Sequence, residues 1–280
     1  MPIKLNHILN RIHSLPALPD SAMQVIALTR NSETDIKDLI AVISHDPALT
    51  ANILRQANSS YYGYARRISS LAEAVVILGF QAIQGLAMAS ALSPLLKTEL
   101  IGYGLDQEGL WRHSMFTAMA GKRLCKRLLL PFGEVAFIAG LLHDIGKLIL
   151  TVYVQEVGSF ILKKVDQENL SYRELEKKII GFDHATVGGY IAQQWNLPDE
   201  LVEAITHHHT PERAQHQQQL AAIVHVANAL ANLLGVGEAV DSFLNPLQEQ
   251  ALSLLHLTEQ DLELIMAELG DLLSDPTLFS

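Results

Sequence analysis

The spacing of apolar residues most constrains this fold, because it follows the helical period along almost the whole chain. Residues 36–43 show the pattern, with apolar side chains on one helical face at Ile36, Leu39, Ile40 and Ile43. Asp46-Pro47 then supplies a capping residue and a proline suited to the first position of the next helix. We find neither alternation typical of a strand nor an internal repeat. The pattern predicts an all-α fold.

The longest uncharged stretch, residues 74–96, is long enough to be mistaken for a membrane span. Its glycine, glutamine, serine and proline residues instead favour two buried helices that meet at Gly79. The N-terminus also lacks the basic region and apolar run of a signal peptide. We therefore expect a soluble, cytoplasmic protein with no membrane partner.

Helix-breaking residues cluster between about Leu96 and Asp106, where Pro94, Gly102 and Gly104 interrupt the pattern. This predicts two packed helical bundles, an N-terminal one over residues 1–100 and a second over residues 105–234. Residues 235–280 are predicted to be a helical extension that packs on the second bundle. The leucine-rich face of this extension is also compatible with a partner surface.

Histidine is the unusual component of the composition, with twelve histidines against a single cysteine. One cysteine excludes a disulfide framework and any cysteine-rich zinc module. The net charge of −10 argues against a protein that binds the phosphate backbone of nucleic acids. The histidines are therefore the first candidates for functional residues.

Helical spacing turns five histidines and one aspartate toward the interior of the second bundle. His113 shares its helical face with Leu110 and Thr117, and His208 and His209 continue a spacing that begins at Leu201. The other three residues lie at helix ends or beginnings: His143, Asp144 and His184.

Buried imidazoles need polar partners, and a divalent cation is a partner that several of them can share. Nitrogen and carboxylate ligands without thiolates suit Fe, Mn, Ni, Co or Mg better than structural zinc. Taken singly, each histidine has another explanation, such as a hydrogen bond to a backbone carbonyl, a helix cap or a solvated helix end. Together they predict a metal site.

The motifs resemble a known family. Gly140-Leu-Leu-His143-Asp144-Ile-Gly-Lys147 resembles the signature of the HD superfamily of metal-dependent phosphohydrolases. A narrower resemblance, to the HDOD domain, covers roughly residues 7–235. It rests on these segments: Leu15-Pro16-Ala17-Leu18-Pro19, Ile43-Ser-His45-Asp46-Pro47, Leu54-Arg-Gln-Ala-Asn58-Ser59, Ala74-Val-Val-Ile-Leu78-Gly79, Phe182-Asp183-His184-Ala185 and Trp195-Asn-Leu-Pro198.

The resemblance implies an all-helical bacterial protein that serves as a regulatory or interaction module in signal transduction. His113 matches the first metal ligand of the HD pattern, and His143-Asp144 matches its defining pair. Lys147 matches a lysine that can hold a substrate phosphate, so Asp144 and Lys147 are the predicted catalytic residues. The remaining metal ligands, which resemble those of the two-metal HD-GYP branch, are His184, His208 and His209.

The chain departs from the HD pattern at Asn228, which stands where the final aspartate ligand is expected. An amide oxygen can still ligate a metal but brings no charge, which leaves Asp144 as the one carboxylate of the predicted set. We expect a single, weakly held metal or a site without metal. An alternative is that Asn228 only forms hydrogen bonds with neighbouring helices. The absence of a Gly-Tyr-Pro loop after His209 argues against hydrolysis of cyclic-di-GMP.

Three hypotheses follow. The first is a regulatory HDOD protein that has a degenerate metal site and a protein partner in a signalling pathway. The second is a metal-dependent phosphohydrolase that acts on a nucleotide or another phosphoester. The third is a sensor that binds a nucleotide or phosphate without turning it over.

Overall fold

The computed structural model describes residues 5–13, 15, 23–25, 27–28, 35–59, 61–64, 66–168, 170–237, 239–242, 246–273 and 279. Over these residues the secondary structure is helical and contains no strand, so the predicted all-α class is confirmed. The α-helices are α1 (Leu5–His13), α2 (Ile36–Ser44), α3 (Pro47–Ala57), α4 (Leu71–Leu78), α5 (Phe80–Leu96), α6 (Gly109–Arg127), α7 (Gly133–Leu142), α8 (Lys147–Glu168), α9 (Tyr172–Ile179), α10 (His184–Gln194), α11 (Asp199–His207), α12 (Gln218–Leu233), α13 (Glu249–Leu255) and α14 (Glu259–Leu273). Short 3-10 helices span Ile101–Tyr103 and Pro211–Arg213.

The uncharged stretch of residues 74–96 forms parts of two helices, α4 and α5, as expected. They meet at Gly79, which has a φ of 88° that a residue with a side chain rarely adopts. Another segment, Gly133–Val157, is long and apolar enough to cross a membrane by length and composition, but 78% of its most apolar window is buried. Because it contains the buried Asp144 and Lys147, we interpret it as core.

The contacts divide the chain into two units. The first consists of Met1–Pro16 and Leu96–Met266, and the second of Ala17–Leu95 and Ala267–Ser280. In the first unit α6 packs against α7 and α12, and α10 packs against α11. The second unit has its own apolar core, which includes Leu39, Ile53 and Val75. The three-part division expected from the sequence stays a prediction.

Side-chain caps begin several of these helices. The Asp46 carboxylate accepts a hydrogen bond from the Leu49 backbone N–H at the start of α3. Ser171 and Glu174 form a complete capping box at the start of α9. The sequence Ser70-Leu71-Ala72-Glu73 predicts a similar box at the start of α4, but only half of it forms: Ser70 accepts from the Glu73 N–H, whereas the Glu73 carboxylate accepts hydrogen bonds from Ser69.

Replacement of Ser171 by alanine is expected to lower the free energy of unfolding by about 1 kcal/mol, because the α9 backbone loses its cap. Urea denaturation followed by circular dichroism measures the change. Ser253→Ala is the matched control, since Ser253 is exposed on α13 and its loss should change stability by less than about 0.5 kcal/mol. Equal losses in the two variants would show that the Ser171 cap contributes nothing of its own.

Candidate metal centre

The structure brings all the predicted site residues together inside the first unit. His113 comes from α6, His143 and Asp144 from the turn after α7, and Lys147 from the start of α8. His184 begins α10, His208 and His209 follow α11, and Asn228 lies on α12. All are buried, so the inward orientation predicted from helical spacing is confirmed. We use the term His/Asp cluster for His113, His143, Asp144, His184, His208 and His209.

A close approach of two backbone segments fixes the position of the His143-Asp144 turn. A Cβ added at Gly146 would collide with the His184 carbonyl oxygen and would lie 2.7 Å from the Gly188 nitrogen. Gly146 therefore lets the turn pack directly on the first turn of α10. Asp183 caps that helix by accepting a hydrogen bond of 2.8 Å from the Thr186 N–H. Together these contacts position His184 beside Asp144.

Asp144 lies at the centre of the cluster, because four imidazole Nε2 atoms surround its two oxygens. Oδ2 lies 3.3 Å from His143 and 3.6 Å from His113. Oδ1 lies 3.4 Å from His184 and 3.9 Å from His208. Burial raises the pKa of the Asp144 carboxyl, but His143 and Lys147 outweigh burial and hold that pKa well below its usual range. Asp144 is therefore an ionised carboxylate.

Backbone carbonyls fix which ring nitrogen carries the proton in three of the histidines. Nδ1 of His143 donates to the Gly140 oxygen and Nδ1 of His208 to the Ile205 oxygen, each at 2.7 Å. Nδ1 of His113 donates to the Val236 oxygen at 3.0 Å. In a neutral imidazole so bonded, Nε2 carries a lone pair, which is the arrangement of metal-binding histidines.

Burial keeps the rings of His113 and His208 neutral. It lowers the pKa of His113 to about 4 and the pKa of His208 well below its usual value, so that both Nε2 lone pairs are free of protons near pH 7. Three buried atoms of the His/Asp cluster have no hydrogen-bond partner among the described residues: His143 Nε2, His208 Nε2 and Asp144 Oδ1. Buried acceptors without donors are costly, and a cation would satisfy all three.

The ligand atoms fall into two groups, each with its atoms within 4.8 Å of one another. One group is His113, His143 and Asp144, and the other is His184, His208 and His209. The residues therefore fit a divalent cation held by nitrogen and carboxylate ligands, without thiolate.

Glu176 is a buried carboxylate of the site that the sequence interpretation missed. Its Oε2 accepts from His184 Nδ1 at 2.7 Å and its Oε1 accepts from the Tyr103 hydroxyl at 2.6 Å. Burial lowers the pKa of His184, but the Glu176 carboxylate reverses this effect and raises the pKa to about 9. A signal for Glu176 was present, because it shares the helical face of Tyr172 and Leu175.

Lys147 has two carboxylate partners. Its Nζ lies 2.9 Å from Asp144 Oδ2, and 3.1 and 2.9 Å from the two oxygens of Asp241. The expectation that Asp144 would be the only carboxylate of the site is wrong, because the buried Asp241 pairs with Lys147 and the buried Glu176 accepts a hydrogen bond from His184. The role of Lys147 in binding phosphate stays a prediction, since Asp144 and Asp241 bind its ammonium group.

Asn228 is directed inward, as its place on the apolar helical face of Ala221, Val224 and Ala231 predicts. Its Oδ1 lies 2.9 Å from His113 Nε2 and accepts a hydrogen bond of 3.3 Å from Asn232 Nδ2. Because His113 donates through Nδ1, its Nε2 lone pair faces this oxygen, and two acceptors meet. A rotated amide would resolve the conflict, as would a cation bound to both atoms.

His225 is a further buried histidine, with a supporting position. Its Nδ1 donates to the His208 backbone oxygen at 2.8 Å, and its Nε2 accepts from the Gln248 N–H at 3.0 Å. With both ring nitrogens engaged, His225 fixes the backbone of the cluster instead of adding a ligand.

The single cysteine, Cys125, lies outside the cluster and is buried. Burial raises the pKa of its thiol from 9.0 to about 12, which lowers the thiolate fraction at pH 8 about 1,000-fold. We expect less than about a tenth of Cys125 to react with iodoacetamide at pH 8 in the folded protein, and complete reaction in urea. Mass spectrometry measures both, and rapid labelling of the folded protein would contradict the expected burial.

Comparison with known families matches residues 15–211 to the HDOD domain. The chain belongs to the HDOD family. The matched region contains the whole His/Asp cluster together with Lys147 and Glu176. Asn228 and Asp241 lie beyond its end. The resemblance to HDOD proteins expected from the sequence is thus confirmed.

Several solved structures resemble this chain over most of its length. A Geobacter sulfurreducens HDOD domain protein of unknown function is 25% identical, with a TM-score of 0.76 over 96% of this chain and 94% of that one. A Shewanella amazonensis SB2B protein described as a candidate phosphohydrolase is 26% identical, with a TM-score of 0.73 over 97% and 96%. A candidate signal-transduction protein of Marinobacter aquaeolei VT8 is 25% identical, with a TM-score of 0.72 over 97% and 59%.

An uncharacterised protein of Treponema pallidum is 27% identical over 233 residues. The match covers 81% of this chain and 44% of that protein. The chain therefore corresponds to less than half the length of this relative.

Proposed function

We propose that this HDOD protein is a regulatory module in which the His/Asp cluster holds one divalent cation as a structural element. A protein in a signalling pathway is the proposed partner, since the Marinobacter relative is described as a candidate signal-transduction protein. In this function the cation stabilises the packing of the helices around the cluster in the first unit, and the protein does not hydrolyse phosphoesters.

The charge of the cluster carries the proposal. Three buried carboxylates belong to the site: Asp144 and Asp241 pair with the ammonium group of Lys147, and Glu176 accepts a hydrogen bond from His184. A bound metal requires His184 in its neutral form. The three negative charges are then balanced by Lys147 and one divalent cation. A second cation would leave two uncompensated positive charges in a buried site, which is costly. The neutral amide of Asn228 agrees with this balance.

Burial of the ligands argues against catalysis. His143, His184 and His208 are completely buried, and Lys147 is 5% exposed and paired with two carboxylates. The two cavities described for the structure, of about 320 and 450 Å³, are lined by residues outside the His/Asp cluster. A phosphoester substrate could reach these residues only if the packing around the cluster opened.

A metal-dependent phosphohydrolase is the second candidate. It is favoured by the full histidine set around Asp144 and by the Shewanella relative that is described as a candidate phosphohydrolase. When bound in such enzymes, a divalent cation supplies an activated water molecule. Asp144 and the histidines would hold that cation, and Lys147 would have to leave Asp241 to reach a phosphate.

Metal analysis and activity assays of the same preparation separate the two candidates. The protein is loaded separately with Fe, Mn, Ni, Co or Mg and desalted, and Asp144→Ala serves as the metal-free control. We expect about one equivalent of cation and no hydrolysis of nucleotides or bis(4-nitrophenyl) phosphate above the control. Turnover of about one per second or more that is lost in Asp144→Ala would overturn the regulatory proposal in favour of the enzyme. Thermal stabilisation by nucleotides without turnover would favour the sensor hypothesis.

A further inference from the structure

A short segment after α12 lies against the His/Asp cluster. We call residues 235–237 and 239–242 the capping segment. The Val236 carbonyl accepts from His113 Nδ1 at 3.0 Å, and Asp241 binds Lys147 with both oxygens. Val240 N–H donates to the Tyr103 backbone oxygen at 3.0 Å. Three separate polar contacts thus hold the segment to residues of the site.

Asp241 binds Lys147 as an external oxyanion would. Its two oxygens lie 3.1 and 2.9 Å from Nζ, and the residue is only 2% exposed. The Lys147 ammonium also lies 5.3 Å from the centre of the Tyr103 ring. Because Asp144 occupies the inner side of Nζ at 2.9 Å, Asp241 takes a position that an anionic ligand of Lys147 would need.

The close packing of the capping segment against α6 depends on Gly237. This residue has a φ of 63°, and an added Cβ would collide with the Gly109 carbonyl oxygen and lie 2.8 Å from the His113 Cβ. A cavity of about 320 Å³ borders the same place and is lined in part by Gly109, Arg112, Gly235 and Gly237. The segment therefore borders this cavity through Gly235 and Gly237 and contacts the site through Val236 and Asp241.

We infer that Asp241 is an in-chain occupant of an anion site on Lys147, and that a phosphate-bearing ligand displaces the capping segment to reach this site. The inference rests on the proposed single cation. With one divalent cation and Asp241 in place, the buried charges balance. Without the Asp241 charge the site carries one positive charge, which favours an anion such as a phosphate group.

Calorimetric titration with inorganic phosphate tests the inference on the full chain, loaded with manganese and then desalted. Asp241→Asn removes the competing charge but keeps the size of the side chain. Gly237→Ala disrupts the packing of the segment against Gly109 and His113 but leaves Lys147 and Asp241 unchanged. We expect both variants to bind phosphate about tenfold more tightly than the unmodified protein, or better. Adding Lys147→Met to Asp241→Asn should abolish the gain.

Asp46→Asn is the matched control, since it makes the same acid-to-amide change at the start of α3 in the other unit and should leave phosphate binding unchanged. If folded Asp241→Asn with its metal binds phosphate no more tightly than the unmodified protein, the inference is overturned. If that variant does not fold, Gly237→Ala decides in the same way.

Hydrogen exchange of the unmodified protein gives a test that needs no variant. Phosphate that displaces the capping segment breaks the hydrogen bond from Val240 to Tyr103, so exchange of the peptide containing Val240 should accelerate at millimolar phosphate. Unchanged exchange up to saturating phosphate would contradict the inference. Metal content is measured separately, so a protein without metal refutes the proposed cation alone.

Discussion

Replacement of Asp144 by alanine is expected to abolish metal binding and to lower the free energy of unfolding by about 3 kcal/mol. Four imidazole Nε2 atoms and the Lys147 ammonium lie within 3.9 Å of its oxygens. The substitution leaves these buried groups without their shared anion. Elemental analysis measures the metal, and urea denaturation measures the loss of stability.

Two further variants make this result specific. Asp144→Asn keeps the shape of the side chain and should also lose the metal, because the charge is removed. Asp46→Ala removes the cap of α3 and should cost about 1 kcal/mol while the metal content stays unchanged. Full metal occupancy in Asp144→Ala would refute the assignment of Asp144 as the central ligand.

Loading the metal-free protein with one equivalent of cation is expected to raise its melting temperature by about 10 °C. Binding to the folded state alone contributes about 4 kcal/mol when the free cation exceeds its dissociation constant 1,000-fold, and a chain of this size gains a few degrees per kcal/mol. Differential scanning calorimetry of samples with zero to three equivalents measures the shift.

The charge balance predicts that most of this gain appears with the first equivalent. A second step of similar size between one and two equivalents would show that both ligand groups bind a cation and would contradict the balance. A protein whose melting temperature does not respond to Fe, Mn, Ni, Co or Mg would refute the metal site. Asp144→Asn is the control, since its melting temperature should not depend on added cation.

The helical period accounts for most of what the sequence predicts correctly about the site. A residue's spacing within a helix fixes the face on which its side chain lies, and so the inward directions of His113, His208 and Asn228 could be derived. The HD motif supplied His143 and Asp144. The same period places Glu176 on the apolar face of Tyr172 and Leu175, but Glu176 was not among the predicted site residues, because it belongs to no motif of the HD pattern.

Asp241 lay beyond the reach of sequence reasoning for a physical reason. It belongs to an irregular turn without periodicity, and 94 residues separate it from Lys147. Its contact depends on how the segment after α12 folds back onto the start of α8, which is a tertiary event. The estimate of the site's charge was therefore wrong by two carboxylates, Glu176 and Asp241.

The close packing of Gly146 on α10 has a consequence for how quickly a cation is exchanged. This backbone contact holds the turn that carries His143 and Asp144 against the helix that begins with His184. A second close contact holds α7 against α6, the helix that carries His113, because a Cβ at Gly140 would lie 2.8 Å from the Ala118 Cα. Because these contacts are between backbones, rotation of single side chains cannot move the ligands far enough apart to release a cation. We expect a bound cation to leave only during rare openings of the helices, with an exchange half-life far longer than that of a surface site.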